Sequence, residues 1–590
     1  MPTYGNATLV GVSLQCSALS PSEATGGDAV SAERSEQRVR GLALIFLATF
    51  LLLVARMAFV QLVIGEDLAR RCRDQRAVFL AAVPARGAIY DRNMRVLAGE
   101  SHRDALVVFP EAVKDRDAIA HMVAALSGVP EEEALARLSS PAPLHVAVEA
   151  PRLVGRVDPK ALGKTLGDPG VVVVEQPARY DPEAIAAHVI GYLDPSGVHG
   201  ASGVERLLDR YLAGGDPGRI AVFADARETP LRGLGVRWLP GDPAPASVRL
   251  TIDRDIQSIV EDVMDDAVPR GAVVVMDPRS GDVLAMASRP AFRPDHLQAS
   301  AADAASPLLN RAIMAYPPGS VFKVVVAAAA IEGGVVSLGD RFHDPGHIDV
   351  GARQFRCYTH EEGGHGDITF IDAMAHSCNT AFIEVGLRTG ARRLVSLAES
   401  LGLGATTGVA LPGEQVGALP DARSMSPQDV ANLAIGQGRL AVTPLQIATV
   451  MSAVANGGLL RRPRLVMEIL SDDPARARLI EPAAPVRVLS ADTCRQVAFM
   501  LEAATRWGTG TAAWVGEGGS CGKTGSAETG KVGETGSPVS HAWFAGFAPL
   551  SSPRLVIVVF VEEGMSGGRA AAPVFAPIAR RALESYPASR

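Results

Sequence analysis

Apolar positions crowd into one unbroken block near the start of the chain and come in short runs thereafter. Gly41 to Ile64 reads GLALIFLATFLLLVARMAFVQLVI, with Arg56 its single charge. A helix needs about 20 such residues to cross the hydrocarbon core of a bilayer, so the block predicts a transmembrane anchor. It runs on into Gly65-Glu66-Asp67-Leu68 with no small-residue cleavage site, which separates an uncleaved anchor from a signal peptide. Arg34, Arg38 and Arg40 precede the block, but Arg70, Arg71, Arg73 and Arg76 follow it. Flanking charge therefore does not fix the orientation. Residues 1–30 are rich in Ser, Ala and Gly without periodic apolar positions, so residues 1–40 read as a disordered tail ahead of the anchor at 41–64.

Residues 65–245 mix strand-like and helical patterns, such as the helical patch Asp115–Leu126. They end in a Pro/Gly-rich linker, Leu239-Pro240-Gly241-Asp242-Pro243-Ala244-Pro245. A new pattern occupies 246–590. It opens with strand-like Val248–Asp253 and a helix at Asp255–Val268. Next come two apolar runs, Ala272–Met276 and Val283–Ala287, joined by a hairpin signal, Asp277-Pro278-Arg279-Ser280-Gly281-Asp282. Residues 320–515 are mainly helical in period, with Thr443-Pro444 marking one helix start by an N-cap followed by proline. Strands return at Ala542–Ala548 and Leu555–Val561, and a helix closes the chain at Phe575–Leu583. Strands first, helices in the middle and strands last predict an α/β sheet built from remote strands, with a helical lobe inserted.

Composition narrows the function classes. A length of 590 residues predicts two or three domains, and 47% hydrophobic content supports globular cores. The net charge of −7, with no basic stripe, gives no sign of nucleic-acid binding. The six cysteines are scattered rather than arranged as a disulfide framework or a metal motif. A Cys357–Cys521 bridge is compatible with the sequence but not established by it. In His360-Glu361-Glu362-Gly363-Gly364-His365 the histidines stand five apart across two glycines, whereas the helix-borne zinc motif needs them four apart. With no third ligand in view, neither a metal nor a cofactor is expected.

The candidate chemistry centres on lysine, which supplies only six of the 57 basic residues. Arginine stays protonated, whereas a buried lysine can shift its pKa and act as a base. Lys323 stands in Pro317-Pro318-Gly319-Ser320-Val321-Phe322-Lys323, a turn entering an apolar helix that puts Ser320 and Lys323 on one face. A hydroxyl needs such a neighbouring base to attack a carbonyl. Ser377-Cys378-Asn379 offers a proton relay (Ser377) and a partner for Lys323 and a substrate amide (Asn379). A helix cap is the plain alternative for these two residues. Lys523-Thr524-Gly525-Ser526 predicts an edge strand facing Ser320. Here Lys523 supplies a second charge and, with Thr524, a carboxylate site, and Gly525 lets a substrate backbone lie close. The N–H groups of Ser320 and Ser526 form an oxyanion hole. Gly522-Lys523-Thr524 is not a phosphate loop, because the upstream glycine is missing at the required spacing.

Ser-x-x-Lys, Ser-x-Asn and Lys-Thr-Gly in this order form the set used by penicillin-binding proteins and serine β-lactamases. The chain after residue 40 resembles the class B penicillin-binding proteins. Beyond the three motifs, the resemblance rests on Arg86-Gly87 with Asp91-Arg92-Asn93, Glu205, Asn310-Arg311 and Gly436-Gln437-Gly438. Thr443-Pro444-Leu445-Gln446, Trp543-Phe544 with Gly546-Phe547, and Ala571-Ala572-Pro573-Val574-Phe575 extend it. Met94 stands where the family usually has glycine, and Ser526 where many members have threonine. The resemblance implies a β-lactamase-like transpeptidase domain at 246–590, an antiparallel sheet flanked by helices plus an all-helical lobe. This would stand on an elongated mixed α/β pedestal at 65–245, outside a bacterial cytoplasmic membrane crossed once. It implies D,D-transpeptidation of peptidoglycan stem peptides through a Ser320 acyl-enzyme, trapping by β-lactams, and a membrane partner of the FtsW/RodA type. Three other readings are a class D-like β-lactamase, a β-lactam-sensing receptor and a non-catalytic division scaffold. Ser-x-Asn with a pedestal disfavours the first, a single span the second and an intact nucleophile–base set the third.

Overall fold

The computed structural model describes residues 28–586 apart from 66–67, 69–70, 72–76, 84–85, 128, 141–143, 148–167, 169, 182–184, 214–217, 224–235, 240–244 and 533–537. The N-terminal tail to residue 27 and most of the expected linker therefore lie outside the described residues. The first helix, α1 (Asp28–Leu62), begins before the apolar block, so residues 28–40 are helical rather than tail. The most apolar 18 residues within its stretch Gln37–Leu62 have a mean hydropathy of 2.5, and none of them is buried. At 1.5 Å per residue it reaches roughly 39 Å, long and apolar enough to cross a membrane.

Residues 79–222 and 227–590 form one compact unit. Its centre is an antiparallel sheet of β1 (Gly271–Met276), β2 (Val283–Arg289), β3 (Cys521–Val532), β4 (Pro538–Ala548) and β5 (Leu555–Val561), in the spatial order β2-β1-β5-β4-β3. The expected hairpin is β1–β2, in register from Gly271 opposite Arg289. Strand β5 is buried along its whole length, which accounts for its unbroken apolar run LVIVVFV.

Alternate residues of these strands feed two cores, as the two-residue period of a strand requires. Val273, Val275, Leu284, Phe544 and Val559 face one layer with Ile256, Val260, Phe575 and Ile578. The last four belong to α2 (Arg254–Ala267) and α7 (Ala572–Ser585). Val274, Met276, Trp543, Val558 and Phe560 face the other layer, the helical lobe. That lobe contains α3 (Lys323–Glu332), α4 (Asn379–Thr389), α5 (Pro444–Ala455) and α6 (Ala491–Arg506). The expected start of α5 is present as a reciprocal cap: Gln446 N–H donates to Thr443 Oγ1 and Thr443 N–H to Gln446 Oε1.

A second sheet crosses the 245/246 boundary expected from the sequence. Ile89–Tyr90 pairs in parallel with Ser247–Leu250, which also pairs with Val466–Leu470. The matching residues around Arg86 and Glu205 explain themselves here. Glu205 is fully buried and accepts from Arg86 at 2.8 Å and from Arg179 at 2.5 Å. Gly87 packs so closely that an added Cβ would lie 1.9 Å from the Ala246 carbonyl oxygen. Buried Asp91 accepts from the backbone N–H groups of Asn93 and Arg95 at 2.7 and 2.8 Å. Met94, the departure from the family pattern, has φ +63°, a left-handed backbone that glycine adopts at less cost.

Candidate active site

Ser320 lies in a 3₁₀ turn, Gly319–Phe322, that leads directly into α3. Side chains three apart eclipse in a 3₁₀ turn, so this local geometry aligns Ser320 with Lys323. The turn is fixed from several sides. Gly319 N–H donates to the Gly436 carbonyl at 3.0 Å, and a Cβ on Gly436 would stand 1.9 Å from the Gly319 oxygen. Trp543 Nε1–H donates to the Pro317 carbonyl at 3.0 Å. Thus Gly436-Gln437-Gly438 and Trp543, matched in sequence without an assigned task, hold the nucleophile turn.

Lys323 is fully buried, not a snorkelling surface lysine. Its Nζ donates to the Ser377 carbonyl at 2.7 Å and Asn379 Oδ1 at 2.8 Å, and lies 3.3 Å from Ser377 Oγ. Burial lowers its pKa to about 8, although the nearby cysteine thiols favour the charged form. The helix-cap reading of Ser377 and Asn379 does not hold. Cys378 occupies the cap position of α4 without a side-chain cap bond, and Asn379 is already helical. Ser377 instead has φ +56°, an uncommon conformation for a residue with a Cβ. It keeps that conformation beside Lys323.

β3 is the edge strand of the central sheet, as expected. Its alternation separates the Lys-Thr-Gly residues. Thr524 and Ser526 line a cleft of about 1190 Å³ together with Ser320, Ser377 and Asn379. Lys523 and Gly525 do not line it. Lys523 is fully buried, donating from Nζ to the Thr524 carbonyl at 3.0 Å and lying 3.4 Å from Thr524 Oγ1. Burial, then the charge on Lys323, pushes its pKa down. A Cβ on Gly525 would meet Val321 Cγ2 at 2.8 Å and the Pro318 oxygen at 2.9 Å, so glycine here lets the strand close on the nucleophile turn.

The structure also corrects the metal reading. His365 does have further ligands beside it: the donor atoms of Asp344, Cys357, His365 and Cys378 all lie within 4.8 Å of one another. Cys378 Sγ donates to Asp344 Oδ2 at 3.3 Å, and Cys357 Sγ lies 3.6 Å from His365 Nδ1. The Cys378 contact draws the Cys357 thiol down to about 4, and the same contact with burial pushes Cys378 up. Hydrogen bonds to Cys357 and then to Asp344 hold His365 above its ordinary pKa. Two thiols, an imidazole and a carboxylate form a donor set suited to tetrahedral zinc. The cluster touches the site, because Asn379 N–H donates to Cys357 Sγ at 3.5 Å. Cys357 and Cys521 are both free thiols, so the bridge compatible with the sequence is not formed.

Sequence comparison agrees with this geometry. Residues 271–580 match the model of the penicillin-binding protein transpeptidase domain, and residues 81–237 match that of the penicillin-binding protein dimerisation domain. Stage V sporulation protein D of Bacillus subtilis is 32% identical over 551 residues, covering 90% of this chain and 83% of that protein. Peptidoglycan D,D-transpeptidase FtsI of Escherichia coli is 28% identical over 552 residues, covering 89% and 88%. Among solved structures, penicillin-binding protein 3 of Mycobacterium tuberculosis complexed with aztreonam superposes with a TM-score of 0.60. That match has 27% identity and covers 86% of this chain and 97% of that one.

Proposed function

The chain belongs to the penicillin-binding protein transpeptidases, and we propose that it cross-links peptidoglycan stem peptides by acyl transfer through Ser320. The observation that carries this reading is the buried Lys323 amine, held by Ser377 and Asn379 one 3₁₀ turn from a serine at the cleft. Neutral Lys323 accepts the Ser320 proton as Oγ attacks the carbonyl of the penultimate D-alanine. The Ser320 and Ser526 N–H groups receive the oxyanion. The C–N bond breaks, the proton passes through Ser377 Oγ to the departing amine, and D-alanine leaves. An amine of a neighbouring stem peptide then attacks the ester, restoring Ser320. A β-lactam follows the first half of this path, but its ring-opened amine stays attached and the acyl-enzyme persists.

In this scheme Thr524 receives the substrate's terminal carboxylate, with Lys523 polarising it from behind. Asn379 orients both Lys323 and the donor amide. Helix α1 tethers the chain to the bacterial cytoplasmic membrane, with the catalytic region outside. Residues 65–245 serve as the pedestal and 246–590 as the catalytic domain. Arg56 lies 5.5 Å from the Phe59 ring within the anchor. A mid-membrane arginine costs about 2.5–3.5 kcal/mol on insertion scales, which favours a membrane partner of the FtsW/RodA type at this face.

Mass spectrometry of the penicillin-treated protein tests the reading. One adduct on Ser320 is expected. An adduct on Ser377, or none, overturns it. A long-lived adduct also separates a transpeptidase from a β-lactamase, and any adduct separates both from a scaffold.

A further inference from the structure

Three arginines in the cleft have no task in this chemistry. Arg353 and Arg356 lie on the hairpin strand Arg353–Arg356, and Arg569 follows β5. None has a carboxylate partner among the described residues, although ion pairs occupy many of the chain's other arginines. The hairpin's own acid, Asp349, accepts from Gln354 instead at 3.3 Å. Among the described residues the only carboxylate lining the cleft is Glu528, so three guanidiniums face one acid in a chain whose net charge is negative. Arg353 and Arg356 share a wall with Asn379: Asn379 Nδ2 donates to the Arg356 carbonyl at 3.0 Å. Thr524 and Ser526 stand on β3. Arg353 is also preset, its guanidinium 4.8 Å from the Phe355 ring centre, and Phe355 is buried.

Guanidiniums without a carboxylate partner match carboxylates in two-point contact. The donor's terminal carboxylate is already provided for at Thr524, and it leaves with D-alanine after acylation. Resting on the transpeptidase reading, we propose that Arg353 and Arg356 select stem peptides that keep a second, internal carboxylate free, against peptides in which that group is a carboxamide. They would act as specificity residues, holding the peptide stem along the Asn379 wall before and after D-alanine departs.

The test uses the full-length protein in detergent and two synthetic depsipeptide donors ending in D-alanyl-D-lactate. The donors differ only in an internal carboxylate or carboxamide on the residue preceding the D-alanine. Acylation of Ser320 is followed by mass spectrometry. The wild type is expected to favour the carboxylate donor at least about tenfold, with the preference shrinking as salt rises. Arg353→Gln/Arg356→Gln is expected to bring the ratio near one, and Arg353→Lys/Arg356→Lys to retain part of it. A ratio is read because damage to folding lowers both rates together. Equal wild-type rates, or an undiminished preference in the glutamine variant, overturn the assignment. Penicillin on the wild type separates the two levels. A Ser320 adduct with no donor preference defeats only the arginine assignment, whereas no adduct defeats the transpeptidase reading and this proposal with it.

Discussion

A lysine taken fully out of water, with neutral acceptors and no carboxylate beside it, loses its proton more easily than one at the surface. For Lys323 the pKa falls to about 8 from the ordinary 10.5. The neutral amine needed to accept the Ser320 proton is then about a tenth of the population at pH 7 and about nine-tenths at pH 9. The second-order rate of penicillin acylation is therefore expected to rise about a hundredfold from pH 6 to 9, levelling off above about pH 8. A flat profile would contradict a lysine base. Lys323→Arg keeps the positive charge but cannot release it. It is expected to acylate at least about a hundredfold more slowly while remaining folded. Retention of more than about a tenth of the wild-type rate would reduce Lys323 to an electrostatic role. The turn-to-helix step made Ser320 and Lys323 legible as a pair, whereas Ser377 and Asn379 joined them only through the order of the three motifs, since a helix cap was their plain alternative. Lys523 and Gly525 were legible as motif members only. Which side of a strand meets a cleft depends on its partners, and here both residues are buried and neither lines the cleft.

Elements explain what single residues do not. The stretch from Asp344 to Asn379 contains two hairpin pairings and the start of α4, and these fold four dispersed side chains into one ligand set. No spacing in the sequence announces it, because the ligands sit on different elements and only the fold makes them neighbours. The His360–His365 pattern drew attention to the right loop for an irrelevant reason, since His360 is not in the cluster. The cluster backs the Ser377–Asn379 segment from beneath: Cys378 is a member, and Cys357 accepts from the Asn379 N–H. Protein purified with reductant is expected to carry about one zinc per chain by elemental analysis. Cys378→Ser is expected to lower metal content and to slow Ser320 acylation about tenfold or more, the scale seen when groups supporting a metal site are removed. Chelation that strips zinc while leaving both acylation and melting temperature unchanged would show that the cluster does not support the site.

At the scale of the whole molecule, a helix long and apolar enough to cross a membrane was legible because that depends on length and composition alone, while its extension back to Asp28 was not. The sheet linking Ile89–Tyr90 to Ser247–Leu250 was hidden for the opposite reason: strands of two and four residues carry almost no periodic signal. What keeps residues 86–213 joined to the catalytic region is therefore best probed through the charges beneath that sheet. Glu205 and Asp209 together balance Arg86 and Arg179, and none of Arg86, Arg179 and Glu205 has more than 12% of its side chain exposed. Breaking a buried pair by removing one partner costs about 3–5 kcal/mol, because the other charge is left unsolvated. Glu205→Gln leaves Arg179 without its carboxylate and Arg86 with Asp209 alone, and should destabilise this region by about that amount. None of these residues lines the cleft, so the loss should appear as earlier unfolding and faster proteolysis between residues 86 and 213. The acylation rate per folded molecule should stay within about twofold of wild type, well under one decade of rate. Arg86→Met combined with Glu205→Leu removes both charges and should recover part of the stability if Arg179 finds solvent. Equal stability of Glu205→Gln and wild type would mean that backbone packing at Gly87 and Ala246, not the ion pairs, joins the two regions.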